Sequence, residues 1–290
     1  MIYIVAVSGG VDSVVLLDMV ARRAREDGGG KGDLIVAHVD HGIRPESHED
    51  EQFVRDLARR YDLPYESVRL QLGPKTSEHT ARQARYDWLE QIRHNHNAEA
   101  IVTAHHQDDV IETMMINLIR GTGWRGLCSL KETATRRRPL LGLSRAEIIT
   151  YGIGRNLSWR EDETNNDVRY LRNYVRYRYV QRMKSDERQR WVMMYQDQTR
   201  LAEVIDRSLP QIASRVGDNK TWSRHGIIMA DEAVCYEIMT YLLATRLERR
   251  TLERLRHFVC CARPGKQLRE SGFCFRVSTR EVFVSRSGIC

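Results

Sequence analysis

Residues 8–13 read SGGVDS; they follow IYIVAV (residues 2–7) and precede VVLLDMVARRAR (residues 14–25). An apolar, β-branched run, a stop at small residues and an amphipathic continuation predict a buried strand, a tight turn and a helix. Such a turn presents unpaired backbone N–H groups at the positive end of a helix dipole. Glycine lets the backbone approach an anion, and serine hydroxyls add donors, so the stretch suits a phosphate. It is not the common lysine-bearing loop, because G-x-x-x-x-G-K-[ST] is not matched. Asp12 is the unusual member. A carboxylate beside phosphates is repulsive unless a cation lies between them, and Mg²⁺ binds both kinds of oxygen together. The plainer alternative is a helix start at which the dipole alone favours an acid.

Working outward, LIVAHVDHG (residues 34–42) begins as a second buried strand. Strand, helix and strand in close succession form a βαβ unit with parallel strands and a right-handed crossover. The alternation continues through a helix at 49–61, a strand at 65–70, a helix at 80–93 and a strand at 100–104. A helix at 110–120 has a broad apolar face of Val110, Ile111, Met114, Met115, Leu118 and Ile119. Ser144 and Glu147 have the spacing of a capping box before another short helix. The fold class is α/β, a doubly wound, mostly parallel sheet. The pattern changes at RYLRNYVRYRYVQRMK (residues 169–184), and helical character runs on to about residue 214. Two more helices, at 230–247 and 251–261, precede a hairpin at 273–277 and 281–285. We place a catalytic domain at 1–180 and a smaller α+β, mostly helical domain at 181–290.

Composition sets broad limits. Lys plus Arg outnumber Asp plus Glu by 46 to 39, a formal charge of +7, which leans weakly toward a polyanionic partner. The six cysteines form no C-x-x-C pair, and scattered thiols point to a reducing compartment. Residues 1–7 lack a basic leader and read as a strand, not a targeting segment. With no apolar run of bilayer length, the expectation is a soluble, cytoplasmic protein.

Ligands of open α/β sheets collect at the carboxyl ends of the strands. HVDHGIR (residues 38–44) ends the second strand and sends Asp40, His41 and Arg44 toward SGGVDS; the alternative is a polar loop with a solvated histidine. In TARQARYDWL (residues 80–89), Arg82 and Arg85 share one helix face. Paired guanidinium groups suit a phosphate chain or an RNA backbone, and equally a solvated face. TAHHQDDVIET (residues 103–113) joins a strand end to a helix start, with His105, His106, Asp108, Asp109 and Glu112 close together. Capping by Asp108 explains part of this pattern. The H-x-x-x-H spacing of helical zinc sites is absent, and a carboxylate pair at a ligand mouth also suits an ammonium group.

SGGVDS resembles the PP-loop of the N-type ATP pyrophosphatases. Taken with HVDHG, ARQARY, TAHHQDDVIET, RGTG (residues 120–123), RPLLGLSRAEI, LSWREDETN and LRNYVR, the chain resembles the tRNA(Ile)-lysidine synthetase family. The resemblance is strong over residues 2–180 and weak over 268–285. It implies ATP and Mg²⁺, with AMP and pyrophosphate released. The substrates implied are free L-lysine and a tRNA(Ile) with a CAU anticodon, whose wobble cytidine becomes lysidine through an adenylated base.

It also implies roles for individual residues. Ser8, Gly9, Gly10, Asp12 and Ser13 hold ATP, with Asp12 on Mg²⁺ through the phosphates. Asp12, Asp40, Arg82, Arg85 and Asp109 are the catalytic candidates. Asp109, Glu112 and His105 bind lysine, and Arg172, Arg176 and Arg178 contact tRNA. In the 169–184 helix, Arg169, Arg172 and Arg176 line one face and Tyr170, Tyr174 and Tyr177 a neighbouring one. Basic and aromatic stripes suit RNA, although tyrosines also bury against a domain. A homodimer is a further expectation, and no segment matches the extra C-terminal domain of longer members. The rivals are a PP-loop tRNA thiolase, an amide synthetase and an inert ATP- or RNA-binding module. Cys128 is the single cysteine of the first domain, which counts against the thiolase.

Overall fold

The structure, a computed structural model, describes every residue except 29, 31, 41, 43–46, 71, 74–75, 77, 161–170 and 287–290. His41, Arg44, Arg169 and Tyr170, singled out above, lie outside the described residues. The chain divides into two compact units, Met1–Gln196 and Asp197–Cys290.

The first unit runs β1 (Tyr3–Ala6), α1 (Val11–Glu26), β2 (Leu34–Asp40), α2 (Ser47–Tyr61), β3 (Tyr65–Arg69), α3 (Glu78–Asn95), β4 (Ala100–Val102) and α4 (Gln107–Ile119). Then come β5 (Arg136–Arg137), α5 (Arg145–Gly154), α6 (Leu171–Arg178) and the start of α7 (Ser185–Val216). The five strands lie in the order β3-β2-β1-β4-β5, all parallel. Because side chains alternate along a strand, each strand feeds two cores. Val5, Leu34, Val36 and Val102 pack with α1, α2 and α5, while Ile4, Ile35, Ala37 and Ile101 pack with Leu89 and Ile92 of α3. Burial on both faces explains why these strands read as unbroken apolar runs. The doubly wound expectation holds.

The helix ends follow their local chemistry. Ser144 accepts from the Glu147 N–H and Glu147 returns a bond to the Ser144 N–H, as the capping-box spacing predicts. At α4 the cap is His106, not Asp108. Its ring accepts from the Asp108 N–H at 3.2 Å, and Asp109 accepts from the His106 N–H at 3.1 Å. Of the apolar face expected on this helix, Val110, Ile111 and Met114 are buried, whereas Leu118 and Ile119 are exposed. On the other side of α4, Val175, Val180, Trp191 and Tyr195 join its cores, so residues 181–196 pack with the first unit.

The second unit contains the rest of α7, β6 (Thr221–Ser223), α8 (Arg224–Met229), α9 (Glu232–Leu243), α10 (Arg249–Cys261), β7 (Gln267–Glu270), β8 (Phe273–Val277) and β9 (Glu281–Arg286). Its antiparallel sheet has the order β6-β9-β8-β7. Trp222 and Phe275, fully buried with ring centroids 5.7 Å apart, centre the core. The Arg224 guanidinium donates to the carbonyls of Val259, Cys260 and Ala262 at the end of α10, and to Ser278. No helix among the described residues is long and apolar enough to cross a membrane.

One buried acid ties three helices of the first unit together. Asp18 of α1, 1% exposed, accepts from Tyr61 of α2 and Tyr151 of α5, both at 2.7 Å, and from Arg22. Burial alone raises its pKa, but these donors outweigh burial and leave it below the ordinary carboxylate value. The stabilisation is therefore complete above the unfolded pKa near 4 and disappears as pH falls through the folded one. Asp18→Asn is expected to lower stability by about 1–3 kcal/mol near neutral pH. Denaturant titrations of both proteins should show that gap closing in acid.

Candidate active site

The SGGVDS turn is organised from within. Ser13 on the first turn of α1 is buried, and its hydroxyl accepts from the backbone N–H of Ser8 at 3.1 Å and of Gly9 at 3.2 Å. It donates to the Gly10 carbonyl at 2.9 Å. Ser13 thus shapes the loop and is not a free donor. Gly9 has φ +94°, a conformation that disfavours any residue with a Cβ. Its carbonyl accepts from the Arg160 N–H at 2.9 Å, and the Arg160 side chain is anchored on Glu49 and Asp50 of α2, both at 2.8 Å. Arg160 lies in the LSWREDETN stretch, where no role was read for it. Behind the loop, buried His38 of β2 contacts the Val7 carbonyl at 2.9 Å.

Asp12 projects from the same turn. Its Oδ1 is buried with no hydrogen-bond partner among the described residues, and its Oδ2 lies 3.7 Å from His106 Nε2. An orphaned carboxylate oxygen at the mouth of an anion loop is a ligand of the kind a hard cation takes. His106 continues to Asp109 Oδ2 at 3.5 Å. Burial alone lowers the His106 pKa, but Asp12, Asp109 and Asp108 outweigh it and raise the pKa above its usual value. The imidazole therefore joins the end of β1 to the end of β4.

The acids of α4 are already paired. Arg172 of α6 reaches Glu112 at 3.0 Å and Asp109 at 3.1 Å. Arg176 reaches Glu112 at 2.6 Å and Asp109 at 3.7 Å. Arg188 of α7 reaches Asp108 at 2.5 Å and also donates to the Val180 carbonyl. Glu112 is 0% exposed, and both its oxygens face guanidinium groups. Asp109 keeps 13% exposure. Burial would raise its pKa, but His106 and Arg172 hold it well below the usual carboxylate range.

Two expected roles meet other contacts here. Arg172 and Arg176, read as tRNA contacts, spend their charge on buried carboxylates; Arg178 alone of the three stays exposed. Glu112, read as a lysine ligand, is sealed behind those arginines.

The other predicted residues separate into two groups. Asp40, 4% exposed, accepts from the Gly42 N–H at 2.7 Å and faces Arg69 at 3.3 Å, so it braces the turn after β2. Gly42 there has φ +66° and Leu70 O at 2.8 Å from where a Cβ would lie. Arg82 and Arg85 stand together on α3 over the ring of Tyr86. His105 contacts Thr103 at 2.9 Å, and its surroundings include Asp109, Arg138, Arg82 and Arg85. Burial foremost, then these arginines, push its pKa down to about 3, so the ring is neutral at ordinary pH. The first unit thus joins an anion loop, an orphaned carboxylate, a paired acid–arginine cluster and a bank of arginines at the carboxyl ends of its strands. Removing Glu112 leaves Arg172 and Arg176 short of counter-charge in a buried site. Glu112→Ala should cost about 3–5 kcal/mol in denaturant unfolding, and an unchanged midpoint contradicts the pairing.

This geometry has known relatives. A tRNA(Ile)-lysidine synthase of Thermotoga sp. (strain RQ2) is 38% identical over 188 residues, 62% of this chain and 45% of the relative. One from Geobacter sulfurreducens is 37% identical over 187 residues, 61% of this chain and 39% of the relative. The chain therefore spans less than half the length of these curated relatives. Among solved structures, the U34-tRNA thiolase NcsA of Methanococcus maripaludis with its [4Fe-4S] cluster superposes with a TM-score of 0.58 at 16% identity. That match covers 69% of this chain and 72% of the thiolase and speaks for the fold alone. A family model described as a PP-loop domain matches residues 2–183, the stretch that holds every group of the site but Arg188. With the SGGVDS turn at the end of β1 and its partners gathered on β4 and α4, the chain belongs to the PP-loop domain family.

Proposed function

We propose that the protein ligates lysine to C2 of the wobble cytidine of a tRNA(Ile) with a CAU anticodon, using ATP and forming lysidine. One observation supports this above the others. His106 links the carboxylate of the phosphate loop to an acid–arginine pocket of the kind that a free amino acid needs. The lysidine synthase relatives align over this same stretch.

The chemistry divides into two steps. The cytosine C2 oxygen attacks the α-phosphorus of ATP, the bond to the bridging oxygen breaks, and pyrophosphate leaves. The lysine ε-amine then adds to C2, the C2–O bond breaks, and AMP departs with that oxygen. The backbone N–H groups of the first turn of α1, beyond the two of Ser8 and Gly9 that Ser13 holds, cradle phosphate. Asp12 fits Mg²⁺, which neutralises phosphate charge when bound. Arg82 and Arg85, without a carboxylate partner among the described residues, supply positive charge for the α-phosphate as its bonds change.

The lysine pocket differs from the simple pair of acids read in the sequence. Asp109 is the carboxylate still reachable by an ammonium group, and Arg172, 21% exposed, suits the lysine carboxylate. Arg172 and Arg176 also oppose a second positive charge beside Asp109. They lower the amine pKa there and favour the neutral form, the nucleophile. Neutral His105 adds no repulsion. Arg178 and the exposed, edge-packed Tyr174 and Tyr179 (centroids 6.1 Å apart) offer tRNA a basic and aromatic surface. Scattered free cysteines fit a cytoplasmic location.

The decisive assay supplies ATP, Mg²⁺, labelled lysine and a CAU-anticodon isoleucine tRNA. Label is expected in the tRNA; sulfur or ammonia incorporation in its place would sink the proposal. Asp12→Ala should abolish pyrophosphate release, and full release would remove the cation role. Asp109→Asn should raise the KM for lysine by about tenfold or more, roughly 1.4 kcal/mol of ground-state binding, with a smaller effect on adenylation.

A further inference from the structure

Tyr86 of α3 has a use that the two steps above do not absorb. It is 7% exposed, and its hydroxyl is buried with no hydrogen-bond partner among the described residues. Three guanidinium groups stand over its ring: Arg82 and Arg85 at 5.2 Å from the centroid and Arg136 at 4.6 Å. Arg138, 6% exposed, brings a fourth positive charge to the hydroxyl and has an orphaned Nε of its own. Its Nη1 is spent on the carbonyls of Leu130 and Lys131.

Among the described residues, acids facing this cluster are few: Glu132 accepts from the Arg138 N–H at 2.6 Å. Arg172 of α6 adds to the positive field at Arg82. Glu90 reaches Arg136 at 3.5 Å but is shared with Arg93 at 2.7 Å. His105, on the β4–α4 loop, is neutral and faces Arg82, Arg85 and Arg138. Like charges gathered this closely need an electron-rich partner. The negative face of an aromatic ring is one, and it attracts a cation more strongly when desolvated. The hydroxyl is another. Burial raises its pKa, yet Arg82, Arg85, Arg138 and Arg136 outweigh burial and bring it below the usual tyrosine value.

We propose that Tyr86 is a positioning residue for a phosphoryl group: its ring holds Arg82 and Arg85 together, and its oxygen occupies their field until a phosphoryl oxygen replaces it. The proposal rests on reading this cleft as a phosphoryl-transfer site, and not on lysine. Its consequence is a linked proton. Phenolate and phosphoryl oxygens repel one another in the same arginine field, so binding favours the neutral phenol. Any Tyr86 ionised beforehand takes a proton from water as the phosphoryl group enters. Affinity is therefore highest where Tyr86 is neutral and falls as pH rises through its ionisation.

The test is calorimetric titration of the full chain with ATP and Mg²⁺ and, separately, with a short RNA hairpin carrying a CAU loop. Both ligands keep a constant phosphate charge above about pH 8. For the wild type, ATP affinity should fall as pH rises through the Tyr86 ionisation, by about tenfold for each unit past it. Tyr86→Phe should flatten that profile. It should also remove an early-titrating tyrosine from the ultraviolet tyrosinate signal. Tyr86→Leu, which lacks the ring, should bind about tenfold more weakly than Tyr86→Phe at every pH. If Tyr86→Leu fails to fold, the Phe variant still decides the matter. A fall with the hairpin and none with ATP would assign the phosphoryl group to RNA. Flat wild-type profiles for both ligands, or an equal fall in Tyr86→Phe, would overturn the proposal. Failure of lysine transfer with an intact pH profile would sink the lysidine reading and leave this one standing.

Discussion

Six charged side chains meet on the first turns of α4: Asp108, Asp109 and Glu112 from the helix, and Arg172, Arg176 and Arg188 from α6 and α7. Burying charges costs several kcal/mol per ion unless partners replace the lost water. Each ion here is therefore committed to its partner, and the helices that carry the arginines are committed to α4. Their apolar sides complete the contact, with Val175 and Val180 against Ile111 and Ile116. This constraint brings residues distant in sequence to the carboxyl end of β4. Without it the pocket would have acids and no arginines.

The phosphate loop obeys a related rule. Its conformation is fixed because other groups restrain it from behind. Ser13 gathers the N–H groups of Ser8 and Gly9, Arg160 holds the Gly9 carbonyl, and His38 contacts the Val7 carbonyl. Asp18, one turn further along α1, anchors that helix against α2 and α5. An anion site built from backbone dipoles depends on such rigidity, because dipoles free to turn would lose the advantage they have over water. His106 then couples the loop to α4. The two halves of the site thus share a side chain and not just a neighbourhood.

Much of this was legible in the residues. The alternation of apolar runs with amphipathic ones specified a parallel sheet, and SGGVDS marked its ligand end. Ser144 and Glu147 announced a helix start that the structure contains. Other features left weaker marks. His106 is an uncommon cap, so Asp108 looked the better candidate from composition. β6 and β7, three and four residues long with little apolar alternation, gave no strand signal beside the clear hairpin of β8 and β9. Leu118 and Ile119 matched the helical period of α4 but lie beyond the surface it buries.

The sequence by itself determined most elements of the first unit, their parallel sheet and the chemistry at the end of β1, because these follow from local periodicity and turn geometry. It also supplied the acids of α4 and the paired arginines of α3, since helical spacing places them on shared faces. Only the tertiary structure decided partnership. Arg172 and Arg176 carry the same letters whether they face RNA or a buried glutamate. Asp40 reads alike as a catalytic acid or as a brace for Gly42. A side chain's charge is a local property, but its desolvation and its counter-ion depend on what packs over it, and that is fixed by residues far along the chain.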